Sequence, residues 1–99
     1  MDIKKFTELQ TQYKRTLQEK VTEAKRLVQN LKSHYNKEDL VALRFLVHKL
    51  AGNASLFGFP KVSEMCLLWD TKLRESCEVF PAPSPHDLDA LLLAFESAL

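Results

Sequence analysis

A single histidine followed closely by two glycines is the feature of this sequence that points most directly to chemistry. The run from His48 to Gly58 contains both glycines of the chain, Gly52 and Gly58. Gly52 falls inside a segment with a helical pattern, where glycine is less stable than alanine by roughly 1 kcal/mol. Residues four apart lie on the same face of a helix, so Gly52 leaves open space beside the imidazole of His48. The spacing therefore predicts an exposed, reactive histidine that a partner surface can approach.

The same inventory of residues disfavours other chemistry. The histidines and cysteines show no metal-ligand spacing such as His-x-x-x-His or Cys-x-x-Cys, so we expect no metal and no cofactor. No Gly-x-x-x-x-Gly-Lys loop is present, which argues against a kinase that binds ATP, and any phosphate must arrive on another protein. Ser55 follows His48 by seven residues, but no acid or oxyanion site is evident, so a hydrolase is not expected.

Length and composition indicate one soluble globular domain over residues 1–99. The chain is 45% hydrophobic and 27% charged, which is typical of a domain with a single core. Its longest apolar run, residues 90–95, is far shorter than the roughly 18 to 20 residues that span a bilayer. The first residues lack the apolar stretch of a signal peptide. We therefore expect a cytoplasmic protein without a membrane segment.

The cysteines and the charges favour the same interpretation. Cys66 and Cys77 lie eleven residues apart on one predicted helix, which separates them by about 16 Å along its axis. This distance is too long for a disulfide, so we expect small apolar side chains in a reducing compartment. Residues 1–35 carry eight basic and four acidic side chains, and residues 36–99 carry six and nine. This mild bias is typical of a solvated helix face, and nucleic-acid binding is not expected.

Apolar residues recur every three or four positions in four segments, which predicts four amphipathic helices. The first is one long helix over residues 3–33 without glycine or proline. Asn36 is the predicted N-cap of a second helix over residues 37–57, which Gly58 ends in a left-handed conformation. Short connections between such helices predict an all-α, antiparallel up-down four-helix bundle.

Prolines mark the boundaries of the last two helices. Pro60 begins the third helix, and three prolines in residues 81–85 form a connector that cannot be helical. Ser84 and Asp87 are the predicted cap and first-turn acid of the fourth helix. The positions expected to face the core are Phe6, Leu9, Tyr13, Leu17, Val21, Ala24, Val28 and Leu31; Leu40, Leu43, Leu46, Val47, Leu50, Ala54 and Phe57; Val62, Met65, Cys66, Trp69, Leu73 and Cys77; and Leu88, Leu91, Leu92, Phe95 and Leu99.

On the second helix, His48 projects roughly 100° or more away from the apolar stripe. Its neighbours on that outer face are Arg44 one turn before it and the small residues Ala51, Gly52 and Ser55 after it. Small residues therefore surround the C-terminal side of the ring, where a partner can approach.

Two apolar residues, Val41 and Phe45, also project outward near His48. Exposed apolar side chains beside a reactive group are typical of a docking patch. The alternative is that they pack against a neighbouring helix, and for Phe45 the pattern favours neither interpretation.

The pattern His48-x-Leu50-x-Gly52-x-Ala54-x-x-x-Gly58, followed by an amphipathic helix that contains Cys66 and Leu67, resembles the signature of histidine phosphotransfer (Hpt) domains. It covers about a quarter of the chain closely, and the four-helix pattern extends the resemblance over nearly all of it. The resemblance implies that His48, through Nε2, accepts a phosphoryl group from a receiver-domain aspartate and passes it to another receiver. It also implies a sensor histidine kinase, often a hybrid one, as a partner. A monomer is expected, and the divalent metal for the reaction belongs to the receiver.

The residues suit this chemistry, with one departure from the family. Neutral imidazole can attack an aspartyl phosphate directly, and a nearby cation favours the neutral ring and then stabilises the phosphoryl dianion. The family usually places a lysine three residues after the histidine, where this sequence has Ala51. Arg44 or Lys49 is expected to supply the charge instead. The alternative function is an adaptor bundle without phosphotransfer, which binds a signalling partner through the same helix face.

Overall fold

Four α-helices make up the computed structural model of the protein, which describes residues 3–78 and 83–98. They are α1 (Ile3–Ser33), α2 (Lys37–Asn53), α3 (Pro60–Glu78) and α4 (Pro85–Ala98). Each helix packs against the two neighbouring ones, and α2 packs against α3 most extensively. The described chain thus forms the predicted four-helix bundle, and α2 and α3 share its largest helix contact.

Short polar side chains begin α2 and α4 at the predicted residues. The Asn36 side chain accepts a hydrogen bond from the Asp39 amide at 2.8 Å. Ser84 Oγ accepts one from the Asp87 amide at 3.1 Å, while the Asp87 carboxylate accepts one from the Ser84 amide. These reciprocal bonds satisfy amide groups that have no partner inside the helix. The helix starts are therefore determined by local sequence.

The end of α2 differs from the prediction. The α-helix stops at Asn53, and a 3₁₀ turn, Ala54–Phe57, continues it to Gly58, which has a φ of 86°. The Phe59 amide donates to the Ala54 carbonyl at 3.0 Å, and the Gly58 amide donates to Ser55. These bonds satisfy the last carbonyl groups, and they require the left-handed conformation that glycine tolerates. The predicted single helix over residues 37–57 is therefore an α-helix with a tightened last turn.

The core lies along the facing sides of the four helices from Leu17 onward. Its buried apolar residues are Leu17, Val21, Ala24, Leu27, Val28, Leu31, Leu40, Leu43, Leu46, Val47, Leu50, Ala54, Val62, Cys66, Trp69, Leu73, Leu88, Leu91 and Phe95. Met65 and Leu92 pack against this core at its edge. The Cys77 side chain, Leu99 and residues 81–82 lie outside the described residues, so those predictions have no structural counterpart.

The first ten residues of α1 do not pack as their periodicity predicts. Leu9 is exposed and Phe6 is only partly buried. Tyr13 stacks on Phe57 of the 3₁₀ turn, with ring centroids 4.3 Å apart, so Phe57 covers the bundle edge and does not enter the core. At 31 residues, α1 is about 46 Å long, and it exceeds its neighbours. Periodicity predicts which face is apolar, but it cannot show where the partner helices end.

The basic bias of α1 is partly matched by acids of α4. Lys25 Nζ lies 2.8 Å from Glu96 Oε1, and Lys32 Nζ lies 2.9 Å from Asp89 Oδ1. Exposed pairs of this kind contribute at most about 1 kcal/mol each. These two pairs nevertheless match part of the basic excess of α1 with acidic side chains of α4.

One stretch of the described residues, Lys37–Phe57, is long and apolar enough to be considered as a membrane span, with a mean hydropathy of 1.2. Its leucines, however, include Leu40 and Leu43, which are fully buried among the other helices. The core helix of a bundle meets the same criteria of length and composition. We therefore assign this stretch to a helix of the bundle, with one face in the core.

Gly58 and Gly52 should respond in opposite ways to alanine. A Cβ at Gly58 would collide with the Gln10 side chain and require a left-handed backbone, whereas a Cβ at Gly52 meets nothing within 4 Å. We expect Gly58→Ala to lower the free energy of unfolding by at least about 1 kcal/mol. Gly52→Ala should raise it by up to about 1 kcal/mol. Urea unfolding curves measure both changes, and equal effects would contradict this account of the turn.

Candidate functional site

The structure places His48 on the outward face of α2. Its side chain is 62% exposed, whereas Val47 and Leu50 on the same helix are buried in the core. The ring therefore stands at the surface of the bundle on a rigid helix, beside the interface of α2 with α3.

A buried carboxylate on α3 holds one nitrogen of this ring. His48 Nδ1 lies 3.0 Å from Asp70 Oδ2, and the Asp70 side chain is only 11% exposed. An ionised carboxylate can only accept hydrogen bonds, so Nδ1 must carry the proton that it donates to Asp70. Nε2 then bears the lone pair, and it has no hydrogen-bond partner among the described residues. The contact therefore selects the tautomer whose nucleophilic nitrogen is free.

Arg44 provides the positive charge near this carboxylate. Its Nε lies 3.5 Å from Asp70 Oδ1, and it is one helical turn before His48. Neither atom has a hydrogen-bond partner in the described part of the chain. A buried charge is costly unless an opposite charge is close. Arg44 thus offsets the charge of Asp70 electrostatically, but it does not make the paired hydrogen bonds that an arginine fork can make to a carboxylate.

Cys66 lies one turn before Asp70 on α3 and is fully buried. Burial raises the pKa of its thiol to about 12, and the Asp70 carboxylate adds to the rise. The thiolate is the reactive form of cysteine, and here it is suppressed. Cys66 is therefore a small apolar residue of the core beneath the site.

The C-terminal side of the His48 ring is open. Gly52 is exposed, with nothing within 4 Å of the position that a Cβ would take. Ser55 is also exposed, in the 3₁₀ turn, while Ala51 is partly buried. Ser63 Oγ of α3 donates a hydrogen bond to the Ala51 carbonyl at 2.7 Å. This bond ties α2 to α3 close to His48, and the side chains around it leave room for a partner.

Lys49 does not project toward the imidazole. Its Nζ lies 4.7 Å from the ring centroid of Phe45, in a cation–π contact. Phe45 itself is 58% exposed and Val41 is 46% exposed, so both lie on the outward face of α2. Together with Arg44 and His48, they line a hollow of about 250 Å³ at the surface. The structure thus separates the two candidate cations, with Arg44 beside the site and Lys49 on the Phe45 ring.

Asp70 is the functional residue that sequence reasoning missed. It lies four residues after Cys66 and three before Leu73, which are both buried, so it occupies the apolar stripe of α3. The sequence did contain a signal for Asp70. A carboxylate on the apolar stripe of a helix is expected to be buried, and buried charges are rare unless they have a partner. Its partners come from α2, and helical periodicity within α3 cannot identify them.

Leu67, which the resemblance includes without assigning it a role, is a second residue of α3 near the site. It is 62% exposed, and it lies four residues after Ser63 and three before Asp70. Those two residues contact Ala51 and His48 respectively. Leu67 therefore stands on the side of α3 that adjoins the His48 face of α2.

Metal ligands are not assembled at this site. Across residues 3–78 and 83–98, no group of three or more His, Cys, Asp or Glu side chains could hold an ion. The arrangement instead presents one histidine nitrogen as a nucleophile, with a carboxylate behind the ring and an arginine beside it. This geometry suits acceptance of a group from a partner that brings its own activating machinery.

A known protein family matches most of the chain. The family model described as Hpt domain matches residues 9–98 of the chain. No curated protein and no solved structure gives a significant match. The matched range contains all four helices nearly in full, including His48, Asp70 and Arg44.

The tautomer of His48 can be observed directly. In mildly alkaline buffer, where imidazole is neutral, we expect ring ¹⁵N chemical shifts that show a protonated Nδ1 and a bare Nε2. Asp70→Asn should raise the population with a protonated Nε2, because an amide can also donate to Nδ1. The exposed His34 provides an internal reference that Asp70→Asn should not change. A wild-type ring protonated mainly at Nε2 would contradict the assigned hydrogen bond.

Proposed function

The chain belongs to the Hpt domain family, and we propose that it is a phosphorelay intermediate that carries the phosphoryl group on His48. Hpt domains transfer phosphoryl groups in two-component signalling, and they interact with receiver domains. They are phosphotransfer modules and not kinases. The proposal assigns the accepting atom, Nε2, and a relay from one receiver aspartate to another.

The observation that carries this proposal is that the two ring nitrogens of His48 differ in their hydrogen bonding. Nδ1 is bound to the buried Asp70 at 3.0 Å, and the exposed side of the ring is left with a free lone pair. A nucleophile needs an available electron pair and a fixed direction of approach. The rigid helix and the Asp70 contact provide both without any further catalytic group on this chain.

The transfer step is a displacement at phosphorus. The Nε2 lone pair forms a bond to phosphorus, and the bond between phosphorus and the aspartyl oxygen breaks. The receiver carboxylate leaves with that electron pair, and the ring, which keeps its Nδ1 proton, becomes positively charged. Asp70 accepts the hydrogen bond of that imidazolium and stabilises its charge. We assign the divalent metal that neutralises the transferring group to the receiver.

The surface around His48 supports docking of a receiver domain. Val41 and Phe45 on α2 and Leu67 on α3 are large, exposed apolar residues. Gly52 has no side chain, and the space beside it is open. A larger residue there would extend into the surface that the receiver approaches. Apolar anchors around a reactive centre are typical of interfaces. We propose that this face receives the receiver as well as the receiver module of a hybrid kinase, with the Hpt domain as a cytoplasmic monomer.

The adaptor function is the competing candidate, because Ala51 stands where the family usually has lysine. An adaptor would use the same apolar face without accepting phosphate. The two functions therefore differ in whether His48 becomes labelled, and they do not differ in whether a receiver binds.

Transfer from phosphorylated receiver domains separates the two functions. We expect an acid-labile, alkali-stable label on the wild type and none on His48→Gln. Because the His48 side chain is largely exposed and the glutamine amide can also donate a hydrogen bond to Asp70, the free energy of unfolding should change by less than about 1 kcal/mol. His34→Gln and His86→Gln, both at exposed positions, are matched controls that should accept label normally. Binding without label across a receiver panel would establish the adaptor, and a stability loss above about 2 kcal/mol would show a structural histidine.

Gly52→Leu tests whether the open space is required. Leucine is a better helix former than glycine, and nothing within 4 Å obstructs it, so the fold should keep or gain stability. Transfer to His48 should slow by at least about tenfold, because the side chain hinders close docking of the receiver domain. Gly52→Ala is the matched control and should transfer at nearly the wild-type rate. Unimpaired transfer in Gly52→Leu would show that the receiver approaches from another side.

A further inference from the structure

The pairing of Arg44 with Asp70 is incomplete in a way that the fold does not explain. Arg44 Nε and Asp70 Oδ1 are both buried and lie 3.5 Å apart without a hydrogen bond. Native proteins rarely leave two such atoms unsatisfied, and each case calls for a reason. An arginine held only by electrostatic attraction can be drawn away by a stronger or better-oriented anion.

A place for such an anion adjoins both residues. Arg44 and His48, one helical turn apart, form the polar walls of the hollow that Val41 and Phe45 complete. Its volume of about 250 Å³ is several times the roughly 30 Å³ share of a water molecule. The hollow is therefore large enough for the four heavy atoms of a phosphoryl group. It lies toward Arg44, on the N-terminal side of His48, away from Ala51 and Gly52.

The neighbouring cation is less well placed. Lys49 Nζ lies over the Phe45 ring at 4.7 Å, and position 51 carries only a methyl group. Arg44 therefore is the basic side chain that shares a wall of the hollow with His48.

We propose that the hollow is the phosphoryl-binding subsite and that Arg44 moves from Asp70 to the phosphoryl oxygens when Nε2 is phosphorylated. The proposal rests on the proposed function only in taking Nε2 as the phosphorylated atom. The exchange matches the charges that phosphorylation creates. Arg44 pairs with the dianion, and Asp70, released from Arg44, pairs fully with the imidazolium through its Nδ1 hydrogen bond. In this chain, Arg44 therefore takes the role that the resemblance assigns to a lysine at the position of Ala51.

Loss of Arg44 should shorten the lifetime of the phosphohistidine. Hydrolysis passes through a loose transition state, in which the bond between phosphorus and Nε2 is largely broken. Its electron pair returns to the imidazolium, so the phosphoryl oxygens carry less negative charge than they do in the starting dianion. A cation bound to these oxygens therefore stabilises the phosphohistidine more than the transition state, and it slows hydrolysis.

Potassium phosphoramidate allows a test that needs no receiver and no kinase. Nε2 attacks phosphorus, the bond from phosphorus to nitrogen breaks, and ammonia leaves. The phosphohistidine half-life is then followed by ³¹P NMR at neutral pH, with peptide mass spectrometry to show that His48 carries the group. The variants are Arg44→Met, Arg44→Lys and the matched control Lys49→Met, since methionine keeps an apolar stem and removes the charge.

We expect Arg44→Met to shorten the half-life by about tenfold, as befits loss of a charge-assisted hydrogen bond. Arg44→Lys should lie between that variant and the wild type, and Lys49→Met should match the wild type. The ¹⁵N resonance of Arg44 Nε should also shift on phosphorylation of the wild type. A wild-type half-life in Arg44→Met, or an unchanged Nε resonance, would overturn the exchange.

The half-life measurement and the receiver-transfer experiment can fail independently of each other. Half-lives measured after phosphoramidate loading do not depend on whether any receiver donates to His48. Failure of receiver transfer with a short-lived Arg44→Met phosphohistidine would refute the relay and support the subsite. Normal receiver transfer with equal half-lives would support the relay and refute the subsite.

Discussion

The hydrogen bond between His48 Nδ1 and Asp70 Oδ2 is the contact on which the geometry of the candidate site depends. It joins the two helices that pack most extensively, and it decides which ring nitrogen keeps its lone pair. A histidine on an isolated helix would sample both tautomers and several rotamers. The bundle removes that freedom by placing a carboxylate at hydrogen-bond distance on the neighbouring helix, and a surface imidazole becomes an oriented nucleophile.

Several features of the fold hold this contact in place. The 3.0 Å contact requires α3 to lie at a particular height along α2, and the connection at Gly58 and the bond from Ser63 to the Ala51 carbonyl both constrain that height. The left-handed glycine ends the 3₁₀ turn so that α3 can return antiparallel to α2. The core beneath is apolar, so the Asp70 carboxylate has few alternatives to the partners that α2 provides.

The helices and their caps could be predicted because they depend on nearby residues. Periodicity and capping residues identified all four helices, and the same periodicity placed His48 opposite the core stripe of α2. Predictions that required knowledge of a neighbouring element were less complete. Phe57 has the spacing of a core residue, yet it stacks on Tyr13 at the bundle edge because α1 extends past the end of α2. The pattern could not decide whether Phe45 was covered, since that depends on which helix lies beside it.

The sequence by itself determined the bundle, the outward placement of the histidine that we propose as the phosphorylated residue, and the resemblance to Hpt domains, because these follow from local patterns of residue type and spacing. Only the tertiary structure decided how that histidine is held and where its charges lie. Asp70 is 22 residues from His48 in sequence, and nothing within either helix links them. Arg44 and Lys49 were equal candidates from spacing alone, until the packing of α2 against α3 brought Asp70 to Arg44. Lys49 instead lies over Phe45, four residues before it on the same helix. Electrostatic partners are selected by distance in space, and that distance exists only once the helices have packed.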